Sequence, residues 1–292
     1  MTKRALVLSG GGVVGIAWET GIVAGLADAG VDLSDAGLIV GTSAGSVVGS
    51  QLACGMSTAE LLAEQLSPPK PQNGDSYTID MAALQQLAQK FVGITEITAD
   101  VRREIGQLAL GADTVSEERW IGSFEERLGG REWPEKPLIV TAVDVETGDF
   151  QPWDQSSGVP LATAVASSCA VPAMFPPVTI NGKRYMDGGM YSSVNALVAT
   201  GYETVLIISF VGAFRVQRGP LGERLDAELD ELRASGSRVE EVAPDDAAVA
   251  AFGMNPMDPA GRIPAAEAGV RQAKAIADKL RAFWSAPVSA DR

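Results

Sequence analysis

Short apolar runs alternate with longer helix-patterned segments at the start of the chain. Residues 5–9 form an apolar run that ends in Gly10-Gly11-Gly12, the pattern of a buried strand entering a tight turn. Residues 13–29 then read as a helix, with Gly30 as its C-terminal stop. Residues 38–40 form a second short strand, the turn Gly41-Thr42-Ser43-Ala44-Gly45 follows, and a helix is predicted over 44–54. Strand, helix, strand, helix is the order that builds a parallel α/β sheet.

Further along, the stretch 67–77 (SPPKPQNGDSY) is dense in Pro, Asn, Gly and Asp and reads as a loop. Helices are predicted over 81–91, 95–110 and 116–128, so residues 57–130 form a helical block placed to cover a site. Ser116 with Arg119 is not a capping box, though Glu117 and Glu118 suit a helix N-terminus. Residues 138–143, 184–186 and 205–210 read as strands, and 159–168, 221–234 and 265–284 as helices. The pattern shows no internal repeat. It predicts one domain over 1–284 and a tail without fixed structure over 285–292.

Composition narrows the function classes. Apolar residues make up 46% of the 292, enough for a sizeable core. A net charge of −14 argues against nucleic acid as a partner and against simple electrostatic adsorption to anionic membranes. Two cysteines, Cys54 and Cys169, are too few for a disulfide framework and point to a reducing, cytoplasmic setting. The N-terminus makes a poor signal peptide. The longest apolar candidate for a span, 161–178, is broken by Ser167, Ser168, Pro172, Pro176 and Pro177, and reads as buried interior. The chain has no histidine. That excludes a Ser-His-Asp triad, a Cys-His pair and every His-ligated metal site, so any general base is Asp, Glu, Lys or Tyr. Neither a metal nor a cofactor is expected.

Gly41-x-Ser43-x-Gly45 lies between a predicted strand and a predicted helix, the context of a nucleophile elbow. The helix would point its positive end at the serine oxygen. Gly10-Gly11-Gly12-Val13-Val14-Gly15 admits three readings. It fits a dinucleotide fingerprint, but that reading expects an acidic residue at the end of the second strand, and Asp32 and Asp35 lie before it. It fits an oxyanion hole of backbone N–H groups beside Ser43. It also fits a turn that merely packs helix on strand. Asp187-Gly188-Gly189 is a common turn pattern. Without histidine, however, a catalytic serine must use a carboxylate or amine directly.

Taken in order, these motifs resemble the patatin-like phospholipase family. They are the Gly-Gly-Gly-x-x-Gly of residues 10–15, Gly-Thr-Ser-Ala-Gly-Ser of 41–46, Ala166-Ser167-Ser168-Cys169-Ala170-Val171-Pro172 with Phe175-Pro176-Pro177, and Asp187-Gly188-Gly189. The resemblance spans roughly residues 4–210. It implies a three-layer α/β sandwich with a mainly parallel central sheet, and metal-free hydrolysis of fatty acyl esters of phospholipids or related lipids. It implies Ser43 as nucleophile and Asp187 as base, with Gly10, Gly11 and Gly12 as oxyanion hole. Gly15, Gly41, Gly45, Gly188 and Gly189 support the motifs. Val14 departs from the pattern, since the family usually carries Lys or Arg there. That loss bears on turnover rate and head-group preference and leaves the backbone donors in place.

Two other function classes compete: a non-catalytic lipid- or acyl-binding protein of the same fold, supported only by Val14, and a nucleotide-binding module on residues 10–15. Cys54 and Cys169 read as small core residues. The acidic stretch 223–231 reads as a solvated helix face, and Asp113, Glu117 and Glu118 as solvent-exposed rather than a cation site. Phe91, Val92, Ile94 and Ile97 are read as core, with an interfacial lip for transient membrane contact as the alternative.

Overall fold

A computed structural model describes residues 3–68, 81–90, 94, 96–214, 219–253 and 255–286. Strand β1 (Arg4–Leu8) leads into helix α1 (Gly12–Asp28), and β2 (Leu38–Thr42) into α2 (Ala44–Ala53). Three helices follow the first two: α3 (Thr58–Leu66), α4 (Met81–Lys90) and α5 (Ala99–Gly111). Helix α6 (Glu117–Leu128) is begun by Ser116, whose hydroxyl accepts the Arg119 N–H, and ended by Gly129 in the left-handed conformation. Strands β3 (Leu138–Asp144) and β4 (Phe150–Trp153) precede α7 (Leu161–Ser168). Then come β5 (Val178–Ile180), β6 (Lys183–Asp187), β7 (Thr204–Ile208), α8 (Pro220–Ala234), β8 (Arg238–Val242), α9 (Asp246–Phe252) and α10 (Arg262–Trp284).

The sheet runs β5-β6-β3-β2-β1-β7-β8, with β4 pairing β3 off that path. Strands β3, β2, β1, β7 and β8 are parallel, while β4, β5 and β6 join antiparallel. Alternation along β1 builds the three layers. Leu6 and Leu8 face a large core shared with α1, α2, α6, α7 and α10, whereas Ala5 and Val7 face a smaller one closed by Leu225, Leu229 and Leu232 of α8. This is the expected α/β sandwich with a mainly parallel sheet.

Helix α1 is buried along most of its length. It crosses α10 so closely that a Cβ at Gly25 would lie 2.7 Å from the Ala273 side chain, and one at Gly269 would lie 2.9 Å from the Ile22 nitrogen. The last helix and the first strand also meet, through a hydrogen bond from the Arg4 guanidinium to the Trp284 carbonyl at 3.0 Å. The helical block does not form one layer: α3 packs on α1 and α10, α4 on α5, and α6 on α7. Ile97 is buried, as the core reading expects; Phe91 and Val92 lie outside the described residues, as do 69–77 of the Pro-rich loop and 287–292 of the tail. The stretch 223–231 is not wholly a solvated face. Glu228 is buried, accepts the Ala196 N–H and pairs with Arg224, because α8 turns that side toward residues 196–199. Glu117 is likewise engaged, accepting the Thr179 N–H and hydroxyl.

Candidate active site

The two parallel strands β1 and β2 pair Leu8 with Gly41, so the loops leaving their C-terminal ends lie side by side. The turn after β2 is sharp. Ser43 has φ 50° and ψ −117°, a conformation that side chains rarely adopt and that costs on the order of 1 kcal/mol or more. Both flanking glycines are sterically required. A Cβ at Gly41 would lie 2.5 Å from the Gly45 carbonyl oxygen and the Ser46 Cα, and one at Gly45 would overlap the Leu8 carbonyl and lie 2.6 Å from its side chain. The turn is pinned by Gly45 N–H to Ser9 O (2.8 Å), Ser46 N–H to Ser43 O (2.9 Å) and the Ser46 hydroxyl to the same oxygen (2.6 Å).

Two residues of the 166–172 motif complete the support. The Ser168 hydroxyl accepts the Ser43 N–H at 2.9 Å, and the Cys169 thiol donates to Ser43 O at 3.2 Å. Burial first, and then the neighbouring Asp187 charge, push the Cys169 thiol pKa up, which keeps it a neutral donor. Cys169 is thus the buried small residue expected, with an added hold on the turn. Removing the Ser168 hydroxyl leaves a buried N–H unpaired, at a cost of ~1–3 kcal/mol. Ser168→Ala is therefore expected to lower Tm by several degrees, checked by thermal unfolding.

Asp187 arrives from the other direction. On β3, Thr141 pairs Thr42 of β2, and the next residue, Ala142, pairs Asp187 of β6. Strand β4 pairs both β3 residues, through Pro152 and Gln151. A strand has two edges, so β2 and β6 must share the other one. They meet end to end there, about 3.3 Å apart along β3. Thus Asp187, the last residue of β6, sits beside the Thr42–Ser43 step. It is 3% exposed, its Oδ1 accepts the Gly189 N–H at 2.7 Å, and its own N–H bonds to Ala170 O at 3.0 Å. Gly188 passes so near β3 that a Cβ would lie 2.5 Å from Thr141 O.

Asn195, which the sequence reading did not single out, ties these parts together. Its amide nitrogen, with two protons to donate, lies within hydrogen-bond distance of Ser192 O (2.7 Å), Thr42 Oγ1 (3.0 Å), Thr141 Oγ1 (3.3 Å) and Gly188 O (3.3 Å). Its φ of 56° carried a faint sequence signal, because asparagine tolerates the left-handed region better than most residues.

The glycine loop lies against this turn. A Cβ at Gly10 would be 3.5 Å from the Ser43 Cβ. The Gly10 N–H, however, bonds to Ser193 O at 2.9 Å, and the Val14 N–H to Pro256 O at 3.0 Å. Helix α1 begins at Gly12, so its first N–H groups have no partner within the helix. Among the described residues, Gly11, Gly12 and Val13 are left as the donors free to meet an oxyanion. Val14 is fully buried, and a Cβ at Gly261 would lie 2.9 Å from its side chain. Strand β2 ends without an acidic residue, as the dinucleotide reading does not allow.

No group of His, Cys, Asp and Glu among the described residues is arranged to hold a metal ion. Nor is any helix among them long and apolar enough to cross a membrane.

No curated protein matches the chain. Among solved structures, similarity is found to the crystal structure of VipD from Legionella pneumophila, at TM-score 0.47 and 14% identity, covering 94% of this chain and 67% of that one. It is also found to the type III effector protein ExoU, at TM-score 0.37 and 16% identity, covering 94% of this chain and 53% of that one. The present chain therefore spans about two thirds and about half the length of these two proteins. The family model for patatin-like phospholipase matches residues 6–200, which hold the glycine loop, the Ser43 turn and the Asp187 loop, and the chain belongs to that family.

Proposed function

We propose that this protein is a serine hydrolase of fatty acyl esters, phospholipids or related lipids, working through Ser43 and Asp187. The observation that carries this reading is the end-to-end meeting of β2 and β6 on one edge of β3, which sets the Asp187 carboxyl beside the Ser43 turn. Asp187 accepts the hydroxyl proton as Ser43 Oγ attacks the ester carbonyl, so no free alkoxide forms. The Gly10–Gly12 loop receives the oxyanion, chiefly through the N–H groups of Gly11 and Gly12, since that of Gly10 is already engaged. The alcohol leaves with the proton. Water then attacks the acyl-enzyme and gives a proton to the same carboxylate, which passes it to Ser43 Oγ as the acid departs, so both the serine and the carboxylate are restored.

Residues 1–284 act as one domain in this reading, because β7 and α10, beyond the family match, close the sheet on β1 and the core on α1. The non-catalytic alternative gains nothing from Val14, a residue of α1 whose side chain lies fully buried in the large core.

The test is to react the protein with a fluorophosphonate, map the adduct by mass spectrometry, and measure turnover of p-nitrophenyl esters of rising chain length. Label on Ser43 with turnover is the expected result, and the chain-length trend sizes the acyl pocket. No label and no turnover would favour a lipid-binding protein instead.

A further inference from the structure

Glu19 is a carboxylic acid with no place in the mechanism above. It lies on α1 and is wholly buried. Its Oε2 has no hydrogen-bond partner, and its Oε1 lies 3.3 Å from the Ser9 hydroxyl. Burial pushes its pKa well up, against a smaller opposing effect of hydrogen bonds from Ser9, so the uncharged acid is favoured. An uncharged carboxyl carries an O–H donor.

Ser9 precedes the glycine loop. Its hydroxyl accepts the Phe210 N–H at 2.9 Å and donates to Gly10 O at 2.9 Å. A hydroxyl has one proton to give and two lone pairs to accept with. If the Glu19 acid donates to it, both lone pairs are filled and the single proton stays on Gly10 O. A carboxylate at Glu19 would compete for that proton.

The Gly10 carbonyl matters because of peptide geometry. In a planar trans peptide the C=O of one residue and the N–H of the next point in opposite directions. Holding Gly10 O toward Ser9 therefore fixes where the Gly11 N–H points. The other side of Gly10 is fixed as well, by its N–H bond to Ser193 O.

We propose that Glu19 is a positioning residue: through the Ser9 hydroxyl it sets the Gly10–Gly11 peptide so that the Gly11 N–H faces the oxyanion. This rests on the hydrolase reading given above. It extends that reading to a buried acid that touches neither substrate nor Ser43.

The test compares Glu19→Leu, which fills similar space without a donor, with Glu19→Gln, whose amide can donate to Ser9. The readouts are kcat, KM, the rate of fluorophosphonate labelling at Ser43, and Tm. One oxyanion donor is worth ~100- to 1000-fold in kcat, and a mis-set donor loses part of that. Glu19→Leu should lower kcat and labelling rate by about 10- to 100-fold with KM nearly unchanged, and Glu19→Gln should recover most of the loss. Wild-type rates in folded Glu19→Leu, or equal losses in both variants, would overturn the proposal. Should Glu19→Leu not fold, Ser9→Ala carries the same test: kcat must fall with KM held, and a wild-type kcat overturns it. Failure of the wild-type protein to label or turn over would strike the hydrolase reading itself, and this inference with it.

Discussion

Ser43→Ala and Asp187→Asn are each expected to lower ester turnover by roughly 10⁴-fold or more, the scale seen when a nucleophile or its base is removed, while both proteins stay folded. The fold should survive for specific reasons. Ser43 is the residue before α2, yet its side chain makes no capping hydrogen bond, so alanine removes no cap. What holds the turn is the Ser43 backbone, through Ser168, Ser46 and Cys169, and alanine keeps it. In Asp187→Asn the side-chain oxygen can still accept the Gly189 N–H, so the turn after β6 keeps its local bond. What asparagine cannot do is take a proton. Rates of p-nitrophenyl ester hydrolysis beside circular dichroism melts would separate the two effects. Turnover near the parent value in either folded variant would remove that residue from the mechanism.

The same assignment fixes a sign in the pH profile. The chain holds no imidazole, so the acidic limb of kcat/KM must report a carboxylate. In the proposed mechanism only the carboxylate form of Asp187 can accept the Ser43 proton, so activity is expected to fall on the acidic side. Asp187→Glu should move that limb. A limb that stays put would belong to another group.

Much of this was legible in the sequence, for physical reasons that differ between elements. The β1–loop–α1 and β2–turn–α2 units read cleanly because buried parallel strands are short apolar runs and glycine marks where backbones must touch. The demand at Gly41 and Gly45 is visible as a collision with Ser46 and Leu8. The outer strands of the sheet were harder. Strand β5 has three residues, β4 carries Pro152, and β8 is the charged edge RVEEV. None of these makes a clear period-2 pattern. One signal was present, Asn181-Gly182 between β5 and β6, with φ of 51° and 79°, the dipeptide that closes a two-residue hairpin. It is this hairpin that delivers Asp187 to β3 from the opposite direction.

The candidate site could be named in the sequence as residues, but not as a network. Ser43, Asp187 and the glycines are candidates from motif, from the missing histidine and from the family resemblance. Which glycine N–H groups are free does not, because Gly10 is spent on Ser193 and Val14 on Pro256, partners far away in the chain. The same holds for Ser168 and Asn195, whose roles are hydrogen bonds across more than a hundred residues. Local pattern carries no information on such pairs.

Gly45→Ala should cost more stability than any other single methyl added near the site, and Gly122→Ala should add stability. The two substitutions insert the same group in a helix. At Gly45, in the first turn of α2, the new Cβ would overlap the carbonyl of Leu8 in the central strand. The clash is with backbone on both sides, so no rotamer change relieves it; α2 must lift from β1. Lifting it would also break the Gly45 N–H bond to Ser9 O and disturb the strained turn at Ser43. Ordinary overpacking costs ~1–3 kcal/mol, and a clash between main chains should exceed that. Such a loss is a large fraction of the ~5–15 kcal/mol that holds a domain folded. At Gly122, within α6, a Cβ meets nothing within 4 Å. There only the helix preference remains, about 0.5–1 kcal/mol in favour of alanine. Urea unfolding of the two variants beside the parent is the measurement. A small loss for Gly45→Ala would mean that α2 can slide on β1, and the close approach would then not be what selects glycine in this turn.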